Sequence, residues 1–103
     1  MKLDLFLESV RKGGIDWRMH VLERLGEREI EQAEVVETLS SGLLIEDYPD
    51  DTPYSSALFL GFPGGHPLHV VAAFDETNDL VYIITAYEPS EDYFETDYRT
   101  RKK

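Results

Sequence analysis

Cysteine is absent from this chain, which excludes a disulfide framework and a thiolate zinc site. A reducing, cytoplasmic setting is the expectation that follows. Long apolar runs are missing too: no stretch approaches the ~20 residues that a bilayer-crossing helix requires, so no membrane association is expected. The opening segment MKLDLFLESVRK breaks its apolar residues with Asp4 and Glu8 and offers no small-residue cleavage site, so it does not read as a signal peptide. Lys and Arg are absent from residues 46–98, a stretch that carries twelve acids. Binding to nucleic acid requires cations to neutralise phosphates, so charge disfavours RNA as a partner and no DNA contact is expected.

What is present is 103 residues, 42% hydrophobic and 30% charged, which suits one globular domain over residues 1–103. Residues 1–45 hold six bases and nine acids, and residues 99–103 form a basic C-terminal tail with the other four bases. The net charge of -11 supplies solubility on one account and speeds the approach of a cationic partner on another.

Periodicity divides the chain at Gly42. Leu3, Phe6, Leu7 and Val10 form one helical stripe from Leu3 to Lys12, stopped by Gly13-Gly14. Asp16 is expected to cap a second helix from Trp17 to about Leu25, burying Trp17, Val21 and Leu25 and broken by Gly26. A third helix is expected from about Glu31 to Ser41, with Val35, Val36 and Leu39 buried, Ile30 stapled onto Val35, and Gly42 as its stop. Strand patterns then cover Leu43–Tyr48, about Ser56–Phe62, Leu68–Phe74 and Leu80–Tyr87, joined by short turns. The prediction is an α+β fold with N-terminal helices packed on one face of a four-stranded antiparallel sheet. Pairing Phe74 with Leu80 in the last hairpin sets His69 opposite Thr85. It also puts Leu68, Val70, Ala72 and Phe74 with Leu80, Tyr82, Ile84 and Ala86 on the helix side. His69, Val71, Ala73, Val81, Ile83, Thr85 and Tyr87 then face the other way.

His20, Arg24 and Arg28 recur every fourth residue and form one stripe if the helix continues past Gly26. A histidine beside guanidinium groups suits phosphodiester cleavage, with one group moving a proton and the others stabilising the phosphorane. A solvated lattice with Glu23, Glu27 and Glu31 explains the stripe equally well and, for the stripe alone, is the weightier account. His66 and His69 are three apart on an extended segment and point to opposite faces, so neither a metal site nor a cofactor is expected. Gly61, Gly64 and Gly65 are hairpin glycines, since no helix and Lys follow to make a phosphate loop. Pro89 ends the last strand, after which Arg99 is expected either to fray with the tail or to fold back over the open face and supply its missing cation.

His20-x3-Arg24-x3-Arg28, Ile30, Ser41-Gly42 and Ile45-Glu46-Asp47-Tyr48-Pro49-Asp50-Asp51 together resemble a bacterial and archaeal family of uncharacterised domains. Pro67-Leu68-His69-Val70-Val71, Ile83-Ile84-Thr85-Ala86-Tyr87-Glu88-Pro89 and Tyr93-x5-Arg99 continue the resemblance, from about Trp17 onward. That family is placed by analogy with the fold group of small ribonuclease toxins, the barnase-like, colicin-like, RelE-type and MqsR-type proteins. The resemblance implies His20, Arg24, His69, Thr85, Tyr87 and Arg99 as site residues. It also implies a toxin-like domain of a toxin–antitoxin system, acting as a metal-independent ribonuclease with a small antitoxin-like protein as partner. Members of the fold group that cleave RNA are typically basic, and this chain is not. The alternative is a non-catalytic interaction module whose acidic surface docks a basic partner. Convergence of His20, His69, Tyr87 and Arg99 in one cleft favours the first reading, and their dispersal favours the second.

Overall fold

Three helices precede four long strands, and a two-residue strand lies between the first two helices. The structure, a computed structural model, describes residues 1–103. Its elements are α1 (Leu3–Arg11), β1 (Ile15–Asp16), α2 (Met19–Glu27), α3 (Gln32–Ser41), β2 (Leu43–Tyr48), β3 (Ser55–Gly61), β4 (Leu68–Asp75) and β5 (Leu80–Tyr87). No helix is long and apolar enough to cross a membrane.

The sheet has five strands in the order β1-β5-β4-β3-β2 and is mixed, where four antiparallel strands were expected. β2 to β5 form the expected antiparallel meander. β1 adds a parallel edge, with Ile15 opposite Val81 and Asp16 opposite Tyr82. Two residues are too few to display alternation, so this strand leaves no periodic trace. Its position follows instead from the glycine pair. Gly13 turns the chain at φ +79, and a Cβ on Gly14 would stand 2.7 Å from the Asp79 carbonyl oxygen, an approach only glycine permits.

Because Asp16 is committed to that strand, it does not cap α2. The helix starts two residues later than expected, after an extended Arg18 with no side-chain cap. Gly26 does not break it either: the helix runs through Gly26 to Glu27, and Glu29 at φ +57 turns the chain. An exposed glycine lowers helix stability by about 1 kcal/mol, which the burial of Val21 and Leu25 on the same helix outweighs. α3 follows expectation more closely. Glu34 Oε1 accepts the Glu31 backbone N–H at 2.9 Å, and Ile30 and Val35 both lie in the core on either side of that cap.

The helices cover one face of the sheet. Phe6 of α1 is fully buried, stacked on Phe59 of β3 at 5.0 Å and edge-on to Phe74 of β4 at 5.8 Å. Ala57, Leu68, Val70, Ala72, Val81, Ile83 and Ala86 complete the sheet's share of this core. The β4–β5 register differs from expectation in two steps. Asp75, not Phe74, pairs with Leu80, and a further shift between Val71 and Ala72 leaves Val71 opposite Thr85 and His69 opposite Tyr87. Val81 and Ile83 therefore face the helices in place of Tyr82 and Ile84, and Ile84 is left exposed. The Asp75 carboxylate accounts for the first step, since it accepts the Asn78 backbone N–H and side-chain amide and closes a shorter turn.

Candidate functional site

The face of the sheet turned away from the helices carries His69 on β4 and Tyr87 on β5 as directly opposed neighbours. His69 is fully buried. Its Nε2 lies 2.7 Å from the Tyr98 carbonyl oxygen and its Nδ1 lies 3.3 Å from the Tyr87 hydroxyl. A carbonyl can only accept, so Nε2 carries the proton and Nδ1 accepts the Tyr87 O–H. Phe94 packs edge-on against the imidazole at 4.6 Å. Burial pushes the His69 pKa below its ordinary value, with the Tyr98 carbonyl and the Glu46 carboxylate opposing the shift. Burial also raises the Tyr87 pKa.

Next to this pair, Glu46 of β2 forms a bidentate ion pair with Arg101, Nε to Oε2 at 2.7 Å and Nη2 to Oε1 at 2.9 Å. The Tyr48 hydroxyl donates to Glu46 Oε1. The guanidinium holds the Glu46 carboxyl below the ordinary carboxylate range and itself lies 5.0 Å over the Phe94 ring. Glu46, Tyr48, Phe94, Tyr98 and Arg101 thus join His69 and Tyr87 in one cluster. Arg99, the expected cation, is exposed, and only its backbone N–H is engaged, by Asp97. Two bases at alternate positions in the tail gave no sequence signal for choosing Arg101. Glu46 lies in the quoted stretch Ile45–Asp51, but it reads there as one carboxylate among several.

The other candidates lie elsewhere. Thr85 is held by Arg28, whose Nη1 donates to Thr85 Oγ1 at 3.2 Å and to the Ala86 carbonyl at 2.8 Å. Arg24 is exposed and makes no side-chain hydrogen bond or ion pair. His20, at the start of α2, lines a separate open groove of about 460 Å³ with Arg18, Asp51, Tyr54 and Tyr82. Tyr54 stacks on Tyr82 at 5.4 Å, and Arg18 lies 5.1 Å over the Tyr82 ring. No group of three or more His, Asp or Glu residues has the geometry to hold a metal ion.

The depressed His69 pKa makes stability depend on pH with a definite sign. The unfolded chain binds a proton at His69 below about pH 6.5, where the folded chain does not, so stability is full above that value and falls as pH drops toward the folded pKa. Urea unfolding at pH 7.5 and 5.5 should show a lower midpoint at pH 5.5, and His69→Asn should remove that part of the difference. An unchanged pH difference in the variant would place the titrating group elsewhere.

A family model described as a domain of unknown function (DUF4258) matches residues 17–88. No curated protein and no solved structure matches the chain.

Proposed function

The chain belongs to the DUF4258 family, and within that family we propose that it is a non-catalytic interaction module whose acidic surface docks a basic partner protein. The observation that carries this reading is the dispersal of the candidate catalytic side chains. His69 is sealed with both ring nitrogens engaged, His20 lines a different groove, and Arg24 and Arg99 stand in solvent. A proton carrier must reach its substrate and a cation must face the developing charge, and neither expected cation, Arg24 or Arg99, lines the groove that holds His20 or reaches the enclosed His69. The partner's charge follows from the surface. Of the twelve acids in residues 46–98, all but Glu46 and Asp75 are exposed, with no Lys or Arg between them.

A second reading, a metal-independent ribonuclease of the RelE or barnase type, is favoured by one grouping: Glu46, Arg101, His69 and Tyr87 share one region of the open face. A carboxylate, a guanidinium, an imidazole and a phenol are the groups that 2′-OH attack on a phosphodiester uses. Two assays separate the readings. With a chelator present, the protein is expected to leave a fluorogenic ribo-oligonucleotide intact. It is also expected to bind an arginine octapeptide about tenfold more tightly than an unrelated domain of equal net charge does, with affinity falling as salt rises. RNA cleavage that His69→Ala abolishes would establish the ribonuclease instead, and octapeptide binding no tighter than the control would remove the interaction reading.

A further inference from the structure

Part of the open sheet face is covered by the chain's own C-terminal segment, which is fastened at three points. Phe94, only 3% exposed, packs on His69; the Tyr98 carbonyl takes the His69 Nε2–H; and Arg101 grips Glu46. Between and beyond these anchors the residues from Ser90 to Lys103 are exposed, Tyr98 being half-buried. The family match ends at residue 88, so the face belongs to the shared domain and its cover lies outside the matched residues.

Each anchor reveals what the face recognises. Glu46, its carboxylate oriented by the Tyr48 hydroxyl, presents two oxygens to a planar guanidinium, a geometry that a lysine ammonium cannot match. The His69 ring presents an edge-to-face seat for an aromatic side chain. Its Nε2–H presents a donor to a main-chain carbonyl between the two. Residues 46–98 contain no Lys or Arg, so β2 to β5 set no like charge beside Glu46 and His69; the helical half brings Arg18 over Tyr82 and Arg28 onto Thr85.

We propose that this face, bounded by Glu46, Tyr48, His69 and Tyr87, is the docking site for an arginine-bearing, aromatic segment of the basic partner, and that residues 90–102 occupy it in the partner's absence. The proposal rests on the interaction-module reading above and names the site and the recognised chemistry. Docking is then a competition. A tethered segment acts at an effective concentration of roughly millimolar, so an incoming segment must bind well below that to displace it.

The test uses the full chain with Phe94→Ala and Arg101→Ala, which loosens the cover, and a labelled synthetic peptide of residues 90–103 as the probe. The peptide is expected to bind the doubly substituted chain about tenfold or more tightly than the parent, and to shift the His69 ring resonances. Changing Arg101 to Lys in the peptide, or adding Glu46→Gln to the protein, is expected to weaken that binding about tenfold. Equal peptide affinity for parent and variant, or indifference to Glu46→Gln, overturns the proposal. A readout free of the double variant's folding is trypsin cleavage after Arg99 and Arg101: Glu46→Gln in the otherwise unaltered chain is expected to speed it severalfold, and an unchanged rate overturns the proposal as well. Failure of the site and failure of the reading are distinguishable. Octapeptide binding that persists while the 90–103 peptide fails sinks only the site, whereas RNA cleavage sinks both.

Discussion

Phe6→Ala is expected to lower the melting temperature by on the order of 20 °C. Phe6 is the contact between α1 and the middle of the sheet, fully buried, stacked on Phe59 and edge-on to Phe74. Removing a buried phenyl forfeits its transfer free energy and leaves a void beside two rings held by neighbouring strands, at a cost of about 3–5 kcal/mol. For a domain of this length each kcal/mol corresponds to roughly 4–8 °C. Thermal unfolding followed by circular dichroism measures it directly. A decrease under about 5 °C would mean that α1 contributes little to the core.

Alanine at two glycines should act in opposite directions. At Gly42, between α3 and β2, an added Cβ would collide with the carbonyl oxygens of both Leu60 and Thr38, closer than real Cβ atoms come. Both are main-chain atoms and cannot rotate away, so Gly42→Ala is expected to destabilise by about 2–4 kcal/mol. The backbone there is φ -80, ψ -176, open to any residue, so the penalty is steric. At Gly26 nothing lies within 4 Å and the residue is helical, so Gly26→Ala is expected to stabilise by about 0.5–1 kcal/mol. Urea midpoints of the two variants beside the parent check both signs. A tolerated Gly42→Ala would show that the α3–β2 junction can shift.

The Gly42 geometry illustrates what was legible in the sequence. The glycine marks the end of α3 as expected, but half of what requires it is close approach to Leu60, a residue eighteen positions away, and local sequence does not display that. Phe6, Leu7 and Val10 of the α1 stripe and the inward set of β4 were readable because burial follows period, whereas Leu3, at the first residue of the helix, is exposed. β5 was not, because its register depends on how Asp75 closes the turn and on the irregularity beside Ala72. Two displacements of one residue restore the original parity, which is why His69 and Tyr87 share a face although Val81 and Ile83 changed sides. In the candidate site, the pairing of those two was therefore within reach. The Glu46–Arg101 pair was not, since it joins residues 55 positions apart and one of two alternating bases had to be chosen.

The order of elements also governs how the chain acquires its structure as it leaves the ribosome. Every helix is synthesised before any long strand on which it packs, and helices of nine or ten residues do not persist alone in water. Phe6 waits for Phe59 and Phe74, and β1 waits for Val81 and Tyr82, which lie 66 residues downstream of their partners. No N-terminal fragment contains a finished core, so the nascent chain stays open until β5 has emerged, and its structure then forms in one cooperative step.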